Sequence, residues 1–321
     1  MDWNEVIGPA AAVTLAGAGL QSAMPIAVAA VGECVAERSG VLNLGLEGMM
    51  LSGAFTSFLA TYHTGSPVVG VLAGIGVGIL LGAVMAFLSV TLKTEQIING
   101  IAIVLFAQGI TAFLFDDLFK GSQRPTIERL PDIKIPVLGS IDRVDSIVNQ
   151  NWLFWISLAI SIGVWLMLER TRFGLTIRAV GESPQAADSV AVDVARIRWF
   201  ALLVCGAMAG LGGAVLVVGQ LNLFDTNVTA GRGWIAIALV IFGRWKPPII
   251  LAGAFLFGFA DALQFRVQAV SGGINSSVPY EFFQALPYLV TLIVMVTATI
   301  WARRDAQPAA LGIPFRKGVG S

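Results

Sequence analysis

Ionisable side chains are scarce in this chain. Asp, Glu, Lys and Arg make up 12% of its 321 residues, about half the share of a soluble domain. The 20 basic residues balance 20 acidic ones, so no net field draws the protein to a nucleic acid. Of the five lysines, Lys93, Lys120, Lys134, Lys246 and Lys317, none follows the glycine spacing of a phosphate-binding loop. If ATP is used, another chain hydrolyses it. The one histidine, His63, has no serine, cysteine or carboxylate set around it, so catalysis is not expected. Cys34 and Cys205, the two cysteines, lie beside or within apolar runs without metal-type spacing and read as packing residues.

Apolar residues fill the space that charge leaves. They reach 56%, with 36 glycines and a mean hydropathy of +0.80. That composition excludes a globular domain and predicts an all-α, polytopic bundle in a lipid bilayer, a single membrane domain over 1–321. Windows of about 20 residues span a bilayer. They fall at 7–31, 41–62, 67–92, 97–115, 152–168, 200–220, 228–242, 249–265 and 282–301. The count is about nine, within a range of eight to ten, and 228–242 is the weak member because its uncharged part is short. The first window has 25 positions without a charge behind acidic Asp2 and Glu5, too long and wrongly flanked for a signal peptide. With Arg38 at its other end, the basic-inside rule puts the N-terminus outside and the C-terminus in the cytoplasm. On that topology 116–151 is an external loop. Leu51-Ser-Gly53-Ala54-Phe55 recurs as Leu251-Ala-Gly253-Ala254-Phe255, an offset of 200 residues compatible with a two-fold internal repeat.

Between two membrane-length runs lies a polar island, 169–198, with five arginines and four acids. It must lie in water, and its arginines make it cytoplasmic. Ser183-Pro184 reads as a helix start. Ala186, Ala187, Val190 and Val194 then give a small, apolar side that fits another protein's groove, although an ordinary solvated loop would also satisfy the pattern. The run Gly174-x-x-x-Arg178-Ala179-Val180-Gly181-Glu182-x-Pro184-x-Ala186-Ala187, followed by Cys205-Gly206-Ala207-Met208-Ala209-Gly210-Leu211-Gly212-Gly213, resembles the coupling region of membrane-spanning subunits of bacterial ABC importers of the ribose-type and branched-chain-amino-acid-type branch. Ser39-Gly40-Val41-Leu42-Asn43-Leu44-Gly45-Leu46-Glu47-Gly48-Met49-Met50 narrows the resemblance to nucleoside permeases paired with basic-membrane-protein-type lipoproteins.

That resemblance implies a permease subunit in the bacterial cytoplasmic membrane. It also implies an ATP-binding subunit docked on Arg178, Gly181, Glu182, Pro184, Ala186 and Ala187, a second permease copy or paralogue, and an extracytoplasmic solute-binding lipoprotein. No cofactor is expected in this chain, since the partner uses the ATP. The implied cargo is a nucleoside-type small molecule. A ribose-like sugar permease of the same architecture, differing only in pocket chemistry, is the alternative, and a proton-coupled secondary transporter using Glu47 is the rival from another class.

Polar residues at membrane depth are candidates for the pathway. Asn43 and Glu47, four apart, would share one face of a helix. A carboxylate near a helix centre costs about 2.5–3.5 kcal/mol on insertion scales, so Glu47 meets either solute or a structural partner on a neighbouring helix. Gln96, Asn99 and Gln108 continue the polar pattern. Gly231-Arg232-Gly233-Trp234 opens a second irregular segment, closed by Gly243-Arg244-Trp245-Lys246, and paired interrupted segments point to a transport pathway. Trp234 would stack on a flat ring or anchor at the interface. Asp261, with Gln264, is placed to pair with Arg266.

Overall fold

The computed structural model describes residues 9–120, 125–128, 130–133, 145–270, 285, 288, 289, 292, 293, 296 and 307–316. Regular structure among them is helical, apart from two isolated bridges, Thr126–Leu223 and Asp132–Asn151. Helix α1 is Pro9–Arg38, α2 is Leu46–Thr64, α3 is Pro67–Ala86 and α4 is Gln96–Leu118. A short α5 (Asp145–Val148) precedes α6 (Trp152–Arg170), α7 (Arg172–Glu182) and α8 (Pro184–Ser189). Then come α9 (Val194–Leu216), α10 (Arg232–Phe242) and α11 (Pro247–Val270). Single π-helical turns, Phe87–Thr91 and Val217–Leu221, extend α3 and α9.

Six of the described helices, α1, α3, α4, α6, α9 and α11, are long and apolar enough to cross a bilayer. The nine hydropathy windows shrink for identifiable reasons. Window 41–62 starts late, since 41–45 is not helical, and α2 from Leu46, although as long as α6 at 19 residues, carries Glu47, His63 and several hydroxyl side chains that lower its hydropathy. Helix α10, with 11 residues, rises roughly 16 Å and cannot cross alone. Window 282–301 lies largely outside the described residues. The copies of the 200-residue offset fall in α2 and α11, where Phe55 is buried and Phe255 exposed. The offset gains no support from that arrangement.

Apolar side chains have no reason to shun lipid, so close backbone approach must hold the bundle. Helices α3 and α9 show how. Gly70, Gly74, Gly78 and Gly82 recur every four residues along one face of α3, and Gly74, Gly78 and Gly82 meet Gly206 and Gly210 of α9. A Cβ on Gly78 would stand 2.1 Å from the Gly206 carbonyl oxygen. No larger residue fits. The core therefore centres on α1, α2 and α9, while α3, α4 and α11 turn Leu72, Leu80, Ile98, Leu105, Phe106 and Phe265 outward.

Candidate functional site

The site begins where α1 stops. Gly40 sits at φ +87, a left-handed cap that glycine takes without strain. The chain then runs through 41–45 without helical structure. Amides left bare at this depth need partners, and side chains provide them. Leu42 N–H donates to Gln96 Oε1 at 2.8 Å, Asn43 N–H to Glu33 Oε1 at 3.0 Å and Gly45 N–H to Asn43 Oδ1 at 3.0 Å. Asn43 also donates through Nδ2 to Cys205 Sγ at 3.3 Å. Asn43 and Glu47 therefore do not share a helical face: the break separates them, and Asn43 is wholly buried as its lock.

Glu47, in the first turn of α2, reaches the opposite half of the chain. Its Oε1 accepts from Thr229 Oγ1 at 2.6 Å and from Gly231 N–H at 3.0 Å, and its Oε2 accepts from Gly233 N–H at 2.6 Å. Two of these donors, besides the Thr229 hydroxyl, are bare amides at the start of α10, whose own N-cap residue, Gly231, has no side chain to bind them. A carboxylate at a helix N-terminus is favoured by both hydrogen bonding and dipole. Gly233 makes the approach possible, since a Cβ there would lie 2.5 Å from the Glu47 Cα.

Beside this turn opens a cavity of about 520 Å³ lined by Asn227, Arg232, Phe257, Asp261, Gln264 and Tyr288, among others. The volume lies in the range of small-molecule sites. Arg232 Nη2 faces Asp261 Oδ2 at 3.7 Å, so the partner of Asp261 reported by the geometry is Arg232 on α10 rather than Arg266. Tyr288 donates to the Ala230 carbonyl at 3.2 Å and meets Phe257 edge-on, ring centroids 6.2 Å apart. An aromatic pair beside an amide, an acid and a base can receive a flat ring carrying hydroxyls.

At the far end of α10, the polar island folds into α7 and α8. Ser183 caps α8, accepting from Ala186 N–H at 3.3 Å, and Pro184 takes its first position. The small side expected to be free is not. Ala187 and Val194 are buried against Val180 and Phe315, and α8 ends at Ser189, before Val190. Gly181 is buried as well: a Cβ there would stand 2.1 Å from the Arg38 carbonyl oxygen. Exposed positions are Glu182, Ser183, Gln185, Ala186, Ser189 and Val190, while Pro184 faces inward. Arg178 pairs with Glu169 at 3.6 Å. Residues 308–315 strap this surface. Ala310 N–H donates to the Gly181 carbonyl at 2.9 Å, Gly312 N–H to the Gly40 carbonyl at 3.1 Å and Arg198 Nη1 to the Ile313 carbonyl at 2.9 Å.

The residues singled out by sequence are thus spread over several settings. Glu47 meets the α10 turn that precedes Trp234, while Trp234 and Gln108 are themselves exposed. Asn99 donates to Ser89 Oγ at 3.0 Å and Thr94 Oγ1 at 2.9 Å, holding the turn after the first π-helical stretch. Sequence reasoning passed over Glu33 and Glu37, both fully buried on α1. Their signal was available: two carboxylates at helical spacing closing an apolar run.

A multi-pass bundle with a non-helical break, a half-length helix and a polar cavity between that helix and α11 has the build of a solute-transport subunit. Residues 15–298 match the family described as branched-chain amino acid transport system / permease component, and the chain belongs to that family. It is 37% identical to a putative glucose ABC transporter permease protein of Haloferax volcanii, over 94% of this chain and 96% of that protein. Identity to the guanosine ABC transporter permease protein of Bacillus subtilis is 34%, with the same 94% and 96% covered. A nucleoside ABC transporter permease protein of Lactococcus lactis is 31% identical, over 91% and 93%. An inward-facing structure of a putative metal-chelate type ABC transporter shares the fold, with a TM-score of 0.51 at 16% identity, over 90% of this chain and 85% of that one.

Proposed function

We propose that this permease forms the translocation pathway of an ATP-driven importer whose cargo is a nucleoside-type solute. The observation that carries the reading is the cavity at the α10 turn. A base would lie against Phe257 and Tyr288, and ribose hydroxyls would reach Asp261, Gln264 and Asn227. Two nucleoside permeases among the relatives support that cargo. The glucose permease supports the sugar alternative, which the same hydroxyl-binding groups would serve.

In this reading the α7–α8 end lies in the cytoplasm, where an ATP-hydrolysing subunit docks on the exposed side of α8. A second permease subunit covers part of the outward apolar face, and a solute-binding lipoprotein delivers cargo at the opposite end. Proteoliposomes holding the assembled complex test it directly. Uptake of guanosine or uridine is expected, dependent on both ATP and the binding protein. Glucose uptake without nucleoside uptake would replace the cargo. Uptake driven by a proton gradient in the absence of ATP would replace the class.

A further inference from the structure

Helix α10 is bracketed by left-handed turns. Ala230 (φ 45) and Gly231 (φ 80) precede it; Arg244 (φ 54) and Trp245 (φ 56) follow it. Two successive non-glycine residues in that region are rare, and they persist only where surrounding contacts over-determine them. Glycine is present at the C-terminal end, but Gly243 is right-handed and serves packing: a Cβ there would fall 2.4 Å from Ile250 Cγ1. The left-handed positions are left to an arginine and a tryptophan.

The Trp245 N–H closes the turn on the Val240 carbonyl of α10 at 3.1 Å, and the hold on its indole and carbonyl comes from the end of α1. Arg38 Nε donates to the Trp245 carbonyl at 3.0 Å, Cys34 Sγ donates to it at 3.4 Å, and the Trp245 indole N–H donates to Glu37 Oε2. The same Arg38 offers its own carbonyl oxygen to the bare Cα of Gly181, at the end of α7. A single residue therefore lies between the polar segment and the turn that ends α10. The other end of α10 is gripped by Glu47 and carries Arg232 into the cavity wall.

We propose that the Arg244–Trp245 turn is the joint through which displacement of α7–α8 drives α10, with Glu37, Arg38 and Trp245 as its positioning residues. A rigid segment with turning points at both ends is the build of a lever. Shifting α7 moves the end of α1, which changes the grip of Cys34, Glu37 and Arg38 on the Trp245 indole and carbonyl. Helix α10 then tilts and alters the Arg232 side of the cavity. The inference rests on the transport reading above, and the wild-type complex tests that first: without ATP-dependent uptake there, the transport reading fails and the joint is moot.

Against a transporting wild type, a matched double variant decides. Trp245→Phe with Glu37→Leu removes donor and acceptor together, so no buried polar group is stranded and assembly is retained. Solute imported per ATP hydrolysed is expected to fall at least fivefold, with complex yield, ATP hydrolysis and binding-protein docking near wild type. Arg38→Met, which releases the main-chain hold, should lower the same ratio. Wild-type import per ATP in the double variant and in Arg38→Met would overturn the joint. So would a parallel fall of transport and hydrolysis in both, which marks a merely structural turn.

Discussion

Glu47→Gln is expected to lower the melting temperature and yield of the purified protein. The carboxylate accepts from three donors in the 229–233 turn, whereas an amide offers one oxygen and turns an N–H₂ toward another donor. The loss of a charge-assisted hydrogen bond with an unsatisfied buried partner costs roughly 1.5–3 kcal/mol. Unchanged melting with a tenfold weaker apparent affinity would instead return Glu47 to direct solute contact. Asp261→Asn tests the cavity itself: apparent affinity should fall about tenfold, the effect of roughly 1.4 kcal/mol, with assembly intact, and an unaltered uptake curve would move the solute elsewhere. Sequence pointed to Glu47 because charge is costly in lipid. It was silent on Thr229 as partner, 182 residues away, since hydropathy carries no pairing information. Gly40 and Gly45 allow a break here, but Asn43 was placed on a helix with Glu47 because nothing in its own stretch says that Gln96 and Glu33 satisfy the amides of a non-helical segment.

At the scale of elements, α8 was legible in its start and not in its facing. Ser183 and Pro184 are local signals and act locally. Which side of a six-residue helix is covered depends on Val180, Val194 and Phe315, and Phe315 lies more than a hundred residues further on. Two substitutions separate the roles. Ala186→Arg, on the exposed side, should leave the permease folded and weaken capture of the ATP-hydrolysing partner at least tenfold in a pull-down. Gly181→Leu should prevent proper folding, because the end of α1 already occupies the space of its side chain. Normal expression and melting of Gly181→Leu would show that α7 is not seated on α1.

For the whole molecule, composition determined the class and little beyond it. The windows were found, yet the break at 41–45 and the half-length α10 divide the crossing differently, because a broken helix lowers hydropathy no more than a turn does. The orientation proposed above rests on the basic residues around α7 and α8. A cysteine at Ser183 is expected to resist membrane-impermeant thiol reagents in intact cells and to react in inverted vesicles. Labelling in intact cells would reverse the topology. The strap formed by 308–315 bears on biogenesis. Translation delivers these residues after every helix they touch, so the surface around α7 and α8 stays unfinished while the bundle is being inserted. On the proposed docking at α8, a half-made permease presents no complete berth, and the order of synthesis alone would discourage premature engagement by the energy-supplying subunit.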